Sequence, residues 1–129
     1  MTKATIQSVC ITNLPAIGRK LADGVFAGII TRQNGDHCAV VLLPGHGKDL
    51  TWTQARGWAL KQGGELPSRP VIAMLFANAR TRIRSDWHWT NEEYNADSAW
   101  GCDCINGYQS WGHKKSKASA VAVRYVKID

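Results

Sequence analysis

The groups through which this chain of 129 residues could do chemistry are four cysteines, four histidines and a cluster of acids. Cys102-Asp103-Cys104 is a C-x-C pair, which in a strand places both thiols on one face. It is not the C-x-x-C of zinc or redox sites, and neither a second pair nor a His-x-x-x-His follows it. Structural thiols are the favoured reading for all the cysteines, ahead of a disulfide or a zinc site. His37, His46, His88 and His113 show no i, i+4 pairing and no His-Glu-x-x-His. His37 follows a turn and His46 sits in a glycine-rich loop, so both are expected at the surface. His88 lies between Trp87 and Trp89 and is a candidate for a binding face. Glu92 and Glu93 are adjacent, so in a strand they point to opposite faces and cannot flank one bond as paired glycosidase carboxylates do. Gly45-His46-Gly47-Lys48 lacks the spacing of a phosphate loop and reads as a connector. There is no G-x-S-x-G and no G-x-G-x-x-G. No catalytic residues, metal or cofactor are expected, and the chain reads as non-enzymatic.

Binding is the chemistry that the composition favours. Six tryptophans are many for this length, and six of the eleven aromatic residues fall within residues 85–113. The same stretch holds half of the ten acids and no Lys or Arg, although the chain as a whole has a net charge of +6. The positive charge is concentrated on either side, in Arg80-Thr81-Arg82-Ile83-Arg84 and Lys114-Lys115-Ser116-Lys117. A nucleic-acid binder interleaves aromatics with cations so that stacking and phosphate neutralisation act on one strand. Here the two are segregated, so nucleic acid is disfavoured and the basic clusters read as solvated loop ends. Trp and Tyr give large contact area at low entropic cost and dominate binding hot spots. Trp52, Trp58, Trp89 and Trp100 are assigned to the core. The candidate ligand-binding face comprises Trp87, His88, Asn91, Glu92, Tyr94, Asp103, Asn106, Tyr108, Gln109, Trp111 and His113. Its aromatics would stack on sugar rings or fill protein pockets, and Asp103, Asn106 and Gln109 would supply directional hydrogen bonds.

The elements that must position this face follow from turns, caps and periodicity. Hydrophobic residues make up 44% and charged residues 20%, which excludes disorder. No apolar run approaches the roughly 20 residues of a membrane helix. Residues 1–16 lack the pattern of a signal peptide, which favours a reducing cytosol during synthesis. Residues 25–30 and 37–43 are apolar runs joined through Asn34-Gly35, a strong hairpin signal. Thr51 caps a helix whose stripe is Ala55, Trp58, Ala59 and Gln62, ended by Gly63-Gly64. Ser68 caps a second, with Pro70 in its first turn and Ile72, Leu75, Phe76 and Ala79 as its buried stripe. Met74 reads as core filler. From Trp87 the period becomes two. Residues 101–105 and 108–112 flank Asn106-Gly107, a second hairpin signal, and residues 120–128 form a last alternating strand. The fold class is α+β, two helices packed on a twisted, mostly antiparallel sheet. One domain is expected, with residues 25–129 as its body and 1–24 as an N-terminal arm or edge strand.

Several pieces together resemble a known family: Leu50-Thr51-Trp52 opening the first helix, Gly63-Gly64-Glu65-Leu66-Pro67-Ser68-Arg69 leading into the second, His88-Trp89-Thr90-Asn91-Glu92-Glu93-Tyr94, Ala99-Trp100, Asn106-Gly107-Tyr108-Gln109, and Ala122-Val123-Arg124-Tyr125-Val126. In this order they resemble the small C-type lectin-fold domains of the Lcl C-terminal type, many encoded in phages and prophages, over residues 25–127. The resemblance implies a C-type lectin-like fold whose long loops and outer strands form a binding surface. It implies a receptor-binding module such as a tail-fibre tip, recognising a host-surface glycan or protein. It also implies a homo-oligomer, a trimer by analogy with fibre tips, or contact with other virion proteins. The alternatives are a virion assembly protein and a variable protein of a diversity-generating retroelement; the formylglycine-generating enzymes share the broad fold. The calcium-lectin signatures Glu-Pro-Asn, Gln-Pro-Asp and Trp-Asn-Asp are missing, so binding is expected to be calcium-independent.

Overall fold

Asn34-Gly35 and Asn106-Gly107 both form tight turns, with Gly35 and Gly107 at φ of 91° and 82°, the left-handed region where a side chain is strained. In the computed structural model, which describes residues 8–129, the first of these turns joins β3 (Gly24–Thr31) to β4 (His37–Leu42). β4 is central in its sheet and is buried on both faces, which is why it reads as an unbroken apolar run. Its neighbours are β3 and β10 (Val123–Ile128), both antiparallel to it. The sheet ends in two short strands, β1 (Ser8–Val9), parallel to β10, and β2 (Lys20–Leu21), antiparallel to β3. Residues 8–24 thus contribute edge strands at both margins of this sheet, while the expectation for residues 1–7 lies outside the described residues.

The second sheet runs β5-β9-β6-β7-β8. Its strands are β5 (Gly47–Leu50), β9 (Ala118–Ala120), β6 (Trp87–Glu93), β7 (Ser98–Asp103) and β8 (Tyr108–His113). The pairing is antiparallel except between β6 and β9. Two expectations change here. The glycine-rich connector at residues 45–48 feeds directly into a strand, β5, held by pairing of Gly47 with Ala120 and Leu50 with Ala118. The last strand is not continuous: β9 belongs to the second sheet and β10 to the first, and the chain crosses between them at Val121 and Ala122. Apolar alternation continues through the crossover, so its pattern carries no mark of the change of sheet.

Both helices form where their caps place them. In α1 (Trp52–Lys61), the Gln54 amide donates to Thr51 Oγ1 and the Thr51 amide donates to Gln54 Oε1, a reciprocal capping box. In α2 (Arg69–Asn78), Ser68 Oγ accepts from the Val71 amide, and Pro70 occupies the first turn, where no N–H is needed. The helices serve two halves of one core. Trp52, Ala55 and Ala59 of α1 join Ala39 and Val41 of β4, with Trp89 and Val126. Val71, Ile72 and Leu75 of α2 join Val40 and Leu42, the alternate residues of β4, with Cys102 and Val121. Truncating a fully buried side chain such as Leu75 to Ala would cost about 2–5 kcal/mol. The result is an α+β fold with two helices and mostly antiparallel sheets.

Candidate functional site

β8 decides where the aromatic residues go. Its alternation puts Gln109, Trp111 and His113 on one face and Tyr108, Ser110 and Gly112 on the other. Register with β7 sets Trp111 opposite Trp100 and Gln109 opposite Cys102, on the face that α2 covers. Tyr94 follows β6 in the turn to β7, where its amide donates to the Ser98 carbonyl. Its ring lies flat on Trp111, with centroids 4.3 Å apart and planes 6° from parallel. Trp100 meets both rings edge-on, at 5.5 Å and 5.6 Å. Tyr94 is 45% exposed and Trp111 50%, so this three-ring cluster reaches solvent through the stacked pair.

Arg69, the first residue of α2, holds the cluster from the helix side. Its guanidinium lies 3.5 Å from the Trp100 ring centroid, and its Nε donates to Gln109 Oε1 at 3.0 Å. Gln109 Nε2 donates back to the Arg69 carbonyl at 2.9 Å, and the Arg69 amide donates to Glu92 Oε2 at 2.6 Å. A cation at the N-terminus of a helix opposes the helix dipole. The Glu92 carboxylate and the Trp100 π-face offset that cost.

Glu92 also borders a cavity of about 480 Å³ beside the cluster, shared with Arg32, Glu65, Ser68, Asn91 and Tyr125. Burial, reinforced by the Glu65 charge, pushes the Tyr125 hydroxyl up to about 12, so it stays protonated; Arg32 lies over its ring at 4.1 Å. Glu65 and Asn91 also line a neighbouring cavity of about 280 Å³ against Arg56 and Leu60 of α1. An exposed aromatic platform beside a groove with amide, carboxylate, guanidinium and hydroxyl groups can stack on a ring and hydrogen-bond its substituents.

Of the residues expected from the sequence, Glu92, Tyr94, Gln109 and Trp111 are brought together, with Asn91 at the groove and His113 at the far end of the same β8 face. The others lie elsewhere. His88 is fully buried, its Nδ1 3.0 Å from the Asp86 carbonyl, and is a core residue rather than part of a face. β6 pairs with both β7 and β9, so its His88 and Thr90 point into core just as Trp89 does. Trp87 is half-buried, its ring packed over Gly101, where a Cβ would collide with it. Tyr108 is 65% exposed, but on the opposite face of β8 from the stack. The Asp103 and Asn106 side chains are turned into their own turn, accepting from the amides of Ile105 and Tyr108 at 3.0 Å and 2.9 Å. Sequence reasoning missed Arg69 and assigned Trp100 wholly to the core. The available signal was an unfavourable cation just after the Ser68 cap.

The basic clusters are largely tied down. Arg80 donates to the Ile105 carbonyl and lies over Phe76, Arg82 donates to the Gly18 carbonyl, and Arg84 pairs with Asp86 at 3.0 Å. Lys114 bonds Glu93 at 2.8 Å and the Ala96 carbonyl, and holds the Glu93 carboxyl below its ordinary range. All four cysteines are free thiols, with Cys38, Cys102 and Cys104 buried. Among the described residues no group of three or more His, Cys, Asp or Glu is placed to hold a metal ion, and no helix is long and apolar enough to cross a membrane. Comparison with protein-family models and with curated proteins finds no match.

Proposed function

We propose that this protein is a non-enzymatic binding module of the C-type lectin-like fold. In this reading it serves a phage or prophage tail by recognising a host-surface glycan or protein without calcium, and works in the virion or in the bacterial cytoplasm where virions assemble. The observation that carries the reading is the solvent-exposed Tyr94–Trp111 stack, backed by Trp100 and Arg69 and bordered by the Asn91–Glu92 groove. Stacked, half-exposed rings held by half-buried partners are preorganised for a flat, weakly polar ligand surface. The test is binding of the labelled chain to host cells. Trp111→Ala should weaken it by about 30-fold, the equivalent of a hot-spot residue at about 2 kcal/mol. Tyr108→Ala, on the opposite face, should leave it unchanged. A folded Trp111→Ala protein with wild-type binding would refute the reading.

A second reading, assembly with further copies or with other virion proteins, is favoured by one observation. β8 is a six-residue edge strand without Lys, Arg, Pro or a register shift, whereas β1 and β2 have two residues each and β5 is interrupted between Gly47 and Leu50. Such an unprotected edge invites strand pairing. Sizing chromatography distinguishes the two readings, because a strict monomer with intact cell binding leaves only the first.

A further inference from the structure

At the far end of α2 from Arg69 lies a larger cleft of about 720 Å³. It opens between the turn joining β2 and β3, the loop before β5, and the 3-10 turn Arg80–Arg82. Its floor is apolar, made by Val25, Leu42 and Leu43, with both leucines almost wholly buried, and Pro44 is exposed beside it. Its rim is cationic, with Lys20 from β2 and Arg82 from the 3-10 turn, and adds hydrogen-bonding groups in His46 and Thr81. Asp23 is the one acid lining it among the described residues, and that carboxylate is already bridged to Arg124 at 2.7 Å. Arg82 Nη2 donates to the Gly18 carbonyl at 3.2 Å, which fixes the guanidinium without neutralising it. A positive rim around an apolar floor is thus built from three separated segments of the chain.

We infer that this cleft is a second ligand site, for a saccharide unit bearing an oxyanion ester, a phosphate or a sulfate. A guanidinium presents a fork of donors to such an ester, and a nearby ammonium adds a point charge. The apolar floor takes the C–H face of the ring. The volume falls in the range of roughly 300–1,000 Å³ typical of small-molecule sites, far more than a bare inorganic anion fills. The ten residues of α2 span about 15 Å, so this site and the aromatic platform can be occupied together. The inference does not depend on the proposed receptor-binding role.

Calorimetric titration of the full chain at low salt tests it, with glucose 6-phosphate, glucose 6-sulfate, glucose and inorganic phosphate as probes. At least one ester should bind at least tenfold more tightly than both glucose and inorganic phosphate, and preference between the two esters identifies the natural group. Lys20→Gln, at an exposed position, and Lys20→Gln with Arg82→Gln should each weaken ester binding, the pair by tenfold or more. Lys117→Gln, which removes an exposed cation outside the cleft, should leave it unaltered. Ester binding no tighter than inorganic phosphate, no detectable binding, or full affinity in the folded Lys20→Gln protein would each overturn the inference.

Discussion

Replacing Arg69 tests whether the aromatic platform is a built structure or a chance meeting of surface rings. In Arg69→Ala three things change. The guanidinium leaves the Trp100 face at 3.5 Å, a half-buried cation–π contact contributing about 0.5–2 kcal/mol. The Nε bond to Gln109 Oε1 is lost, at about 1 kcal/mol net. The Gln109 bond to the Arg69 carbonyl survives because it is made by the backbone. Removing a cation from the helix N-terminus returns a few tenths of a kcal/mol. The net loss is about 2 kcal/mol. With about 2.1 cal/mol/K of unfolding entropy per residue over 129 residues, each kcal/mol lowers Tm by about 4 °C, so Arg69→Ala should melt about 8 °C lower. Arg69→Lys keeps the charge but not the planar fork, and should lose about half as much. Urea unfolding followed by tryptophan fluorescence supplies the free energies, and a double-mutant cycle with Gln109→Ala should show coupling of about 0.5–1 kcal/mol. A Tm shift under about 2 °C for Arg69→Ala, with additive behaviour in the cycle, would refute the claim that Arg69 anchors the platform.

Two further perturbations probe the frame beneath the site. Burial pushes the His88 imidazole below its ordinary range, so the folded state favours the neutral ring while the unfolded chain takes up its proton near pH 6.5. This contribution is fully present above that pH and is lost on acidification toward the lower folded-state value, at up to about 1.4 kcal/mol per pH unit; urea unfolding between pH 7.5 and 5 should show it, and His88→Gln should flatten the slope. Gly101→Ala would drive a Cβ into the Trp87 ring, and should destabilise by about 1–3 kcal/mol with altered tryptophan emission; wild-type stability would mean the ring is free to move aside.

The parts of the fold legible in the sequence are those written in neighbouring residues. Thr51 and Gln54 cap one another, Ser68 and Pro70 open α2, and Asn34-Gly35 and Asn106-Gly107 close their hairpins, all within a few positions. What escaped reading is non-local. Gly47-Lys48-Asp49-Leu50 has little strand propensity, and Asp49 sits at a φ of 55°, so β5 exists because Ala118 and Ala120 lie beside it. The split of residues 118–128 between two sheets is likewise a matter of partners. The charge clusters follow the same rule. Arg80 and Arg82 are exposed, as solvated ends should be, but the carbonyls of Ile105, Gly18 and Ala96 that Arg80, Arg82 and Lys114 also reach are distant in sequence and left no local sign.

The site itself was legible as a composition and not as a surface. An excess of aromatics in residues 85–113 pointed to the strands that carry the three-ring cluster, but strand alternation alone cannot tell which side of a sheet meets solvent. Register makes that choice. Trp111 joins Trp100 and Tyr94 only because Asp103 pairs with Tyr108 at the head of the hairpin; a slip of one residue would send Trp111 to the opposite face and dissolve the stack. That pairing is fixed by the turn of residues 104–107, in which Asp103 Oδ1 and Asn106 Oδ1 each accept a backbone amide and Gly107 supplies the left-handed φ. Asp103 and Asn106, expected to touch a ligand, therefore each commit a side-chain oxygen to this turn. They determine which side chains of β8 face outward beside α2, and through that the chemistry the platform offers.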